Sequence, residues 1–207
     1  MNPNALRAYH GDPAIKAKYL SRVRAHAAAD ALTQGVGWEG GKGCAIGCTL
    51  EAYDHSRYPI ELGMPEWLAR LEDAIFEGLP HAEAMTWPES FLEAIHPGAD
   101  LESVRHKLAL RRINRLIAMQ EGNAGKHGEA IDAVIAQTVA ALQQVRRCHE
   151  AETGGDVCEM SAAWSAESAE SAARSARSAA RSAESAESAA WKQEAADLLE
   201  LLREAAP

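Results

Sequence analysis

From Ser161 to Ala206 the chain contains neither glycine nor proline, a run of 46 residues. Within it Ser168, Ser171, Ser175, Ser178, Ser182 and Ser185 step by three and four in turn. Ala169, Ala172, Ala176, Ala179, Ala183 and Ala186 keep the same step one place on. Serine-rich sequence of low complexity is commonly disordered, but alanine, glutamate and arginine favour helix by more than serine opposes it. The spacing therefore predicts one long Ala/Ser-rich helix over 161–206, with two adjacent seams of small side chains at a period of 3.5. At about 1.5 Å per residue such a helix runs roughly 60 to 70 Å, longer than the ~35 to 40 Å width of a compact domain of this size. Alanine buries too little apolar area to hold a lone helix. The element is thus expected to pack on the body of the protein or on a second subunit.

The face of this helix carries Glu167, Glu170, Arg174, Arg177, Arg181, Glu184 and Glu187. Local pairs such as Glu170–Arg174 make a solvated face the plain reading. The alternative makes Arg174, Arg177 and Arg181 a stripe for an anion or an acidic partner.

The rest of the chain carries helical punctuation. Asp12-Pro13 is a good N-cap followed by proline at the first helical position. Met64-Pro65 precedes EWLARLEDAIFEG, whose Trp67, Leu68, Leu71, Ile75 and Leu79 recur at helical spacing. Thr86 to Glu89 fits a capping box. Asp100 caps a longer helix with Leu101, Val104, Leu108, Ile113, Leu116 and Ile117 as its expected buried stripe, and another helix follows GNAGKHG until Gly154-Gly155 stops it. No stretch alternates at period two, so the expected fold is all-α. The expected organisation is a helical body over 1–152 with a glycine-rich loop at 35–43, a break at 153–160, and the long helix beyond.

A formal net charge of −9 argues against general nucleic-acid binding. No run of apolar residues is long enough to span a membrane, and MNPNALRAYHGDP lacks the pattern of a signal peptide, so a cytoplasmic setting is expected. Four cysteines in that compartment point to chemistry, metal or packing rather than a disulfide scaffold. No cofactor motif is present.

The stretch GVGWEGGKGCAIGC places glycines and a lysine before an expected helix start at Cys44. Backbone amides of such a loop favour an anion, which Gly40, Gly41, Lys42 and Gly43 would hold. No glycine lies five residues before Gly41, and Gly43-Cys44 stands where Ser or Thr would follow a P-loop lysine, so this is not that motif. The same field would lower the pKa of Cys44 and make it a candidate nucleophile for a hydrolase or transferase, given a histidine from another segment. Cys44, Cys48 and His55 are zinc ligands in kind. Along one straight helix they spread over about 16 Å of rise, so a metal site needs His55 to fold back, or His81 or His96 to join from elsewhere. Plain packing of small cysteines under a glycine turn is the third possibility. Arg105, Arg112 and Arg115 give the helix after Asp100 a basic flank that an acidic partner could meet.

GKGCAIGCTLEAYDHSRYPIELGMPEWLARLEDAIFEGLP, followed by the Ser-Ala tract, resembles a group of uncharacterised bacterial and phage-type proteins. They share the GKGCAxGC loop, the ELGxPxxLARLEDxIFEGLP helix and the repetitive C-terminal helix. The group has no established activity, so the resemblance implies a phage or mobile-element setting and no site residues. The reading that emerges is a non-enzymatic binding protein that meets an anionic small molecule or an acidic protein surface. A homo-oligomer through 161–191, or an unidentified protein partner, is expected with it.

Overall fold

Asp12 opens the first long helix as its sequence predicts: its Oδ1 accepts from the Ala14 amide at 2.8 Å, and Pro13 supplies the first helical residue. In a computed structural model that describes residues 6–154 and 184–207, this helix, α1, runs Pro13–Ala28. A short hairpin follows, β1 Trp38–Glu39 and β2 Lys42–Gly43. Then come α2 Ala45–Leu50, α3 Arg57–Leu62, α4 Glu66–Gly78, α5 His81–Ala84 and α6 Trp87–Ala94. The chain continues through α7 Glu102–Asn123 and α8 Glu129–Gly154, and ends in α9 Glu184–Glu204. The fold is mainly all-α, and the hairpin is the one sheet among the described residues. No helix among them is long and apolar enough to cross a membrane.

Residues 6–102 with 184–207 form one compact unit, and 103–154 belong to another. In the first, α4 is the central helix, packed against α2, α3, α6 and α9. Its Leu68, Ile75 and Phe76 meet a core built from Ile46 and Leu50 of α2, Leu62 of α3, Phe91 and Leu92 of α6, and Leu198, Leu201 and Leu202 of α9. Trp191 of α9 covers Gly78 so closely that a Cβ there would stand 2.2 Å from the indole.

Three helix ends are closed by side chains, because their last carbonyls have no partner within the helix. Lys16 donates to Glu93 O and Ile95 O at the end of α6 (2.7 and 2.8 Å). Gln34 donates to Phe76 O and Leu79 O at the end of α4, and Arg22 to Thr49 O at the end of α2. The N-terminal segment is tied down by Tyr9, whose hydroxyl donates to Leu92 O at 2.6 Å.

In the second unit α7 buries Val104, Leu108, Ile113 and Ile117 of the expected stripe and leaves Leu116 half-buried, while Leu101 precedes the helix. Asp100 receives the Glu102 amide at its start. Between α7 and α8, His106 and His149 bring their Nδ1 atoms to 3.1 Å.

The long C-terminal element is described only in its last part, and two local expectations change. The long helix is seen over Glu184–Glu204, and 161–183, with most of the small-residue seam, lie outside the described residues. In the part that is described, Leu198 and Leu202 are fully buried in the first unit. The capping box at Thr86 does not form, since its hydroxyl donates to Glu83 O at the end of α5. The helix expected from Cys44 to Tyr53 stops at Leu50, where Glu51 takes a left-handed backbone with φ 54°.

Candidate functional site

The glycine stretch folds as a hairpin. Trp38 pairs with Gly43 and Glu39 with Lys42, leaving a two-residue turn at Gly40-Gly41. Both turn residues have positive φ, +58° and +82°, the conformation that a tight hairpin needs and that glycine adopts without strain. The hairpin lies directly on α2, where a Cβ on Gly47 would stand 1.9 Å from the Gly37 carbonyl oxygen. The Gly43 amide donates to Ala31 O at 3.0 Å, and the Cys44 amide to Val36 O at 2.7 Å. These two donors are therefore already used within the backbone. Gly40, Gly41 and Lys42 stand at an exposed tip rather than in a cradle. Of the four residues expected to hold an anion, Gly43 thus has its amide taken within the backbone.

Cys48 lies beneath this turn, its thiol donating to Gly43 O at 3.3 Å, and burial pushes it up to about 11. Cys44, at the junction of hairpin and helix, points toward α4 instead. The break at Glu51 then redirects the chain. Asp54 Oδ1 accepts from the Ser56 amide and hydroxyl, closing a turn that carries Tyr53 and His55 over the same helix. Tyr53 donates its hydroxyl to Asp73 Oδ2 at 2.9 Å, and His55 Nε2 lies 3.1 Å from that oxygen. The two rings meet edge to face, their centroids 5.0 Å apart.

Asp73 and Glu77 are one turn apart on α4 and so share a face. The Cys44 Sγ, one Asp73 carboxylate oxygen and one Glu77 carboxylate oxygen all lie within 4.8 Å of one another. The Gly35 amide donates to Glu77 Oε2 at 2.8 Å. Asp73 is only 8% exposed, and its Oδ1 is buried with no hydrogen-bond partner among the described residues. Most buried polar atoms find a partner, and one that does not costs roughly 1–3 kcal/mol.

The pocket is electronegative. Burial first, then the hydrogen bond and charge of Asp73, then the charges of Cys44 and Glu77, push the Tyr53 hydroxyl up to about 12. Glu77 is raised by burial and by Asp73, against the opposing Gly35 amide. For Cys44 the outcome reverses the sequence expectation. Burial above all, and the Asp73 carboxylate beside it, push the thiol far above its ordinary value, while the Gly47 and Ile46 amides oppose this more weakly. The cysteine is only 1% exposed.

The neighbouring Glu72 faces the core. Tyr58 donates its hydroxyl to Oε2, the Trp87 indole donates to the Glu72 carbonyl at 3.1 Å, and Oε1 has no partner among the described residues. Its carboxyl is pushed up to about 8, chiefly by complete burial, with the Tyr58 hydrogen bond opposing and the Asp73 charge adding.

Of the residues singled out from sequence, Cys44 and His55 thus come to one pocket, both against Asp73, while Cys48 does not join them. Arg174, Arg177 and Arg181 lie outside the described residues. Arg105 is exposed on α7 of the second unit, and Arg112 and Arg115 of the same helix already interact with other groups of the chain. Tyr53, Asp73 and Glu77 escaped sequence reasoning. A signal existed for the last two, whose spacing of four within an apolar helix puts both carboxylates on one face. Comparison of the chain with protein-family models, curated proteins and solved structures finds no match.

Proposed function

We propose that this chain is a non-enzymatic binding protein, of phage or mobile-element type, whose ligand site is the pocket of Cys44, Tyr53, His55, Asp73 and Glu77. The observation that carries this reading is the buried Asp73 oxygen without a hydrogen-bond partner, beside a second carboxylate and a thiol. Among the described residues neither Asp73 nor Glu77 is paired with a lysine or arginine, so the ligand presents positive charge to the pocket. That replaces the anion expected at the glycine turn, whose Gly43 and Cys44 amides are taken. Assembly through 161–191 and a cytoplasmic setting remain part of this proposal.

The competing reading, a cysteine-dependent enzyme, loses support on chemistry. A nucleophilic cysteine needs its thiolate and a base within reach. Cys44 is buried and held as the thiol, and His55 directs Nε2 to Asp73. Alkylation with iodoacetamide at pH 7, followed by peptide mapping, separates the two. Cys44 in the folded chain is expected to react at least ~100-fold more slowly than in the unfolded chain, because both burial and protonation protect it. A Cys44 that labels faster folded than unfolded, or labels readily at pH 6, would make it a nucleophile and sink the binding reading.

A further inference from the structure

Cys44, Asp73 and Glu77 supply three donors from two directions, two from one face of α4 and one from the end of the hairpin. We propose that this trio is a site for a divalent transition-metal ion of the zinc class, with Tyr53, His55 and the Gly35 amide holding its carboxylates in place. The proposal rests on the binding reading above and names the ligand.

Three observations support it. The first is distance. Donor atoms around a tetrahedral zinc stand roughly 3.3 to 3.8 Å apart, and the three donors already lie within 4.8 Å of one another. Side-chain adjustment of about an ångström closes the site.

The second is how the carboxylates are held. In Asp73, Oδ2 takes the Tyr53 hydroxyl and faces His55 Nε2, while Oδ1 is buried and open. In Glu77, Oε2 takes the Gly35 amide and Oε1 has no hydrogen bond among the described residues. Each carboxylate thus has one oxygen anchored by the protein and one left over. Protein metal sites have this arrangement, because partners behind a ligand fix its orientation and raise its affinity.

The third is the donor chemistry. A thiol among the ligands selects zinc or a similar borderline ion over magnesium or calcium, which take oxygen donors. On binding, the ion forms a bond to the Cys44 sulfur and the S–H proton leaves to water. Each carboxylate lends the oxygen that the protein leaves over. Glu77 and Tyr53 are exposed while Cys44 and Asp73 are buried, so the ion enters from the Glu77 side and water can complete its shell there.

The test is a cobalt(II) titration of the full chain, stripped with chelator and dialysed, followed by absorbance. One equivalent is expected to produce a sulfur-to-cobalt charge-transfer band. Zinc should abolish the band stoichiometrically, and excess magnesium or calcium should leave it intact. Cys44→Ala should lose the band. Glu77→Gln, which keeps an oxygen to accept the Gly35 amide, should weaken binding by at least ~10-fold. A chain that gives no band overturns the proposal, as does a band that survives in Cys44→Ala, since another thiol would then be the ligand. If Cys44→Ala does not fold, Glu77→Gln decides, and unchanged affinity in that variant overturns the site. A missing band together with an unreactive Cys44 removes the metal while leaving the binding reading standing.

Discussion

Replacing Leu198 and Leu202 together by alanine is expected to unfold the first unit or bring it to the edge of unfolding. Both side chains are fully buried, one turn apart on α9, against α4 and α6. A buried leucine cut back to alanine costs about 2–5 kcal/mol, the lost transfer energy plus the cavity left behind. Two such losses in adjoining positions approach the whole stability of an ordinary domain, roughly 5–15 kcal/mol. The Trp191 indole over Gly78 anchors the other end of the same interface. Denaturant unfolding followed by circular dichroism measures the effect, with the exposed Ala196→Ser as a control expected to change little. A double variant as stable as the parent would mean that α9 is an arm and no part of the core. The sequence left the destination open between the body and a second subunit, since the small-residue tract before α9 has too little apolar surface to fix it.

The second large effect is a loss of stability as pH rises toward 8, and it should vanish in Glu72→Gln. Glu72 has an ordinary carboxyl value of 4.5 when exposed and is pushed up to about 8 in the fold. Between those values the folded chain holds a proton that the unfolded chain has released. Stability therefore falls as pH rises through that window, and it levels off above about pH 8. The full span corresponds to a penalty on the order of 3–5 kcal/mol. Glutamine keeps the acceptor for the Tyr58 hydroxyl and carries no charge to desolvate. It should match the parent near pH 5, and at pH 8 its unfolding equilibrium constant should be smaller than the parent's by roughly 100-fold or more. Unfolding midpoints from pH 5 to pH 8.5, compared between the two chains in metal-free buffer, isolate this residue from the other titrating groups. Parallel curves would show that Glu72 ionises freely and that its burial is relieved by something other than a proton.

Much of the helical scaffold can be read from the chain because its signals are local. Asp12-Pro13 starts α1, the apolar spacing of EWLARLEDAIFEG marks α4, and Asp100 starts α7. The hairpin was harder, since two residues per strand cannot display a period of two. The Gly40-Gly41 pair was the sign to weigh, because a two-residue hairpin turn favours such a dipeptide. Glu72 shows a different difficulty. It stands one turn from Leu68 and one turn from Phe76, both fully buried, so its position reads as core while its type reads as surface.

The pocket itself depends on two things that spacing does not encode. One is the left-handed Glu51, a non-glycine residue at a conformation its sequence does not advertise, which frees His55 from the Cys44 helix. The other is a contact across the fold between Cys44 and Asp73. The expectation for Cys44 failed for an electrostatic reason. Burial and a neighbouring carboxylate outweigh the few amides of a six-residue helix.

Whether Asp73 is kept for a ligand or for the fold can be settled by the stability of Asp73→Asn in chelator-treated buffer. Asparagine preserves an acceptor for Tyr53 and His55 and replaces the oxygen that has no partner by an amide donor. Relief of an unpartnered buried atom is worth about 1–3 kcal/mol. The variant should therefore melt at or above the temperature of the parent. A variant that melts clearly below it would mean that the carboxylate holds the fold together, and the pocket would lose its claim to be a binding site.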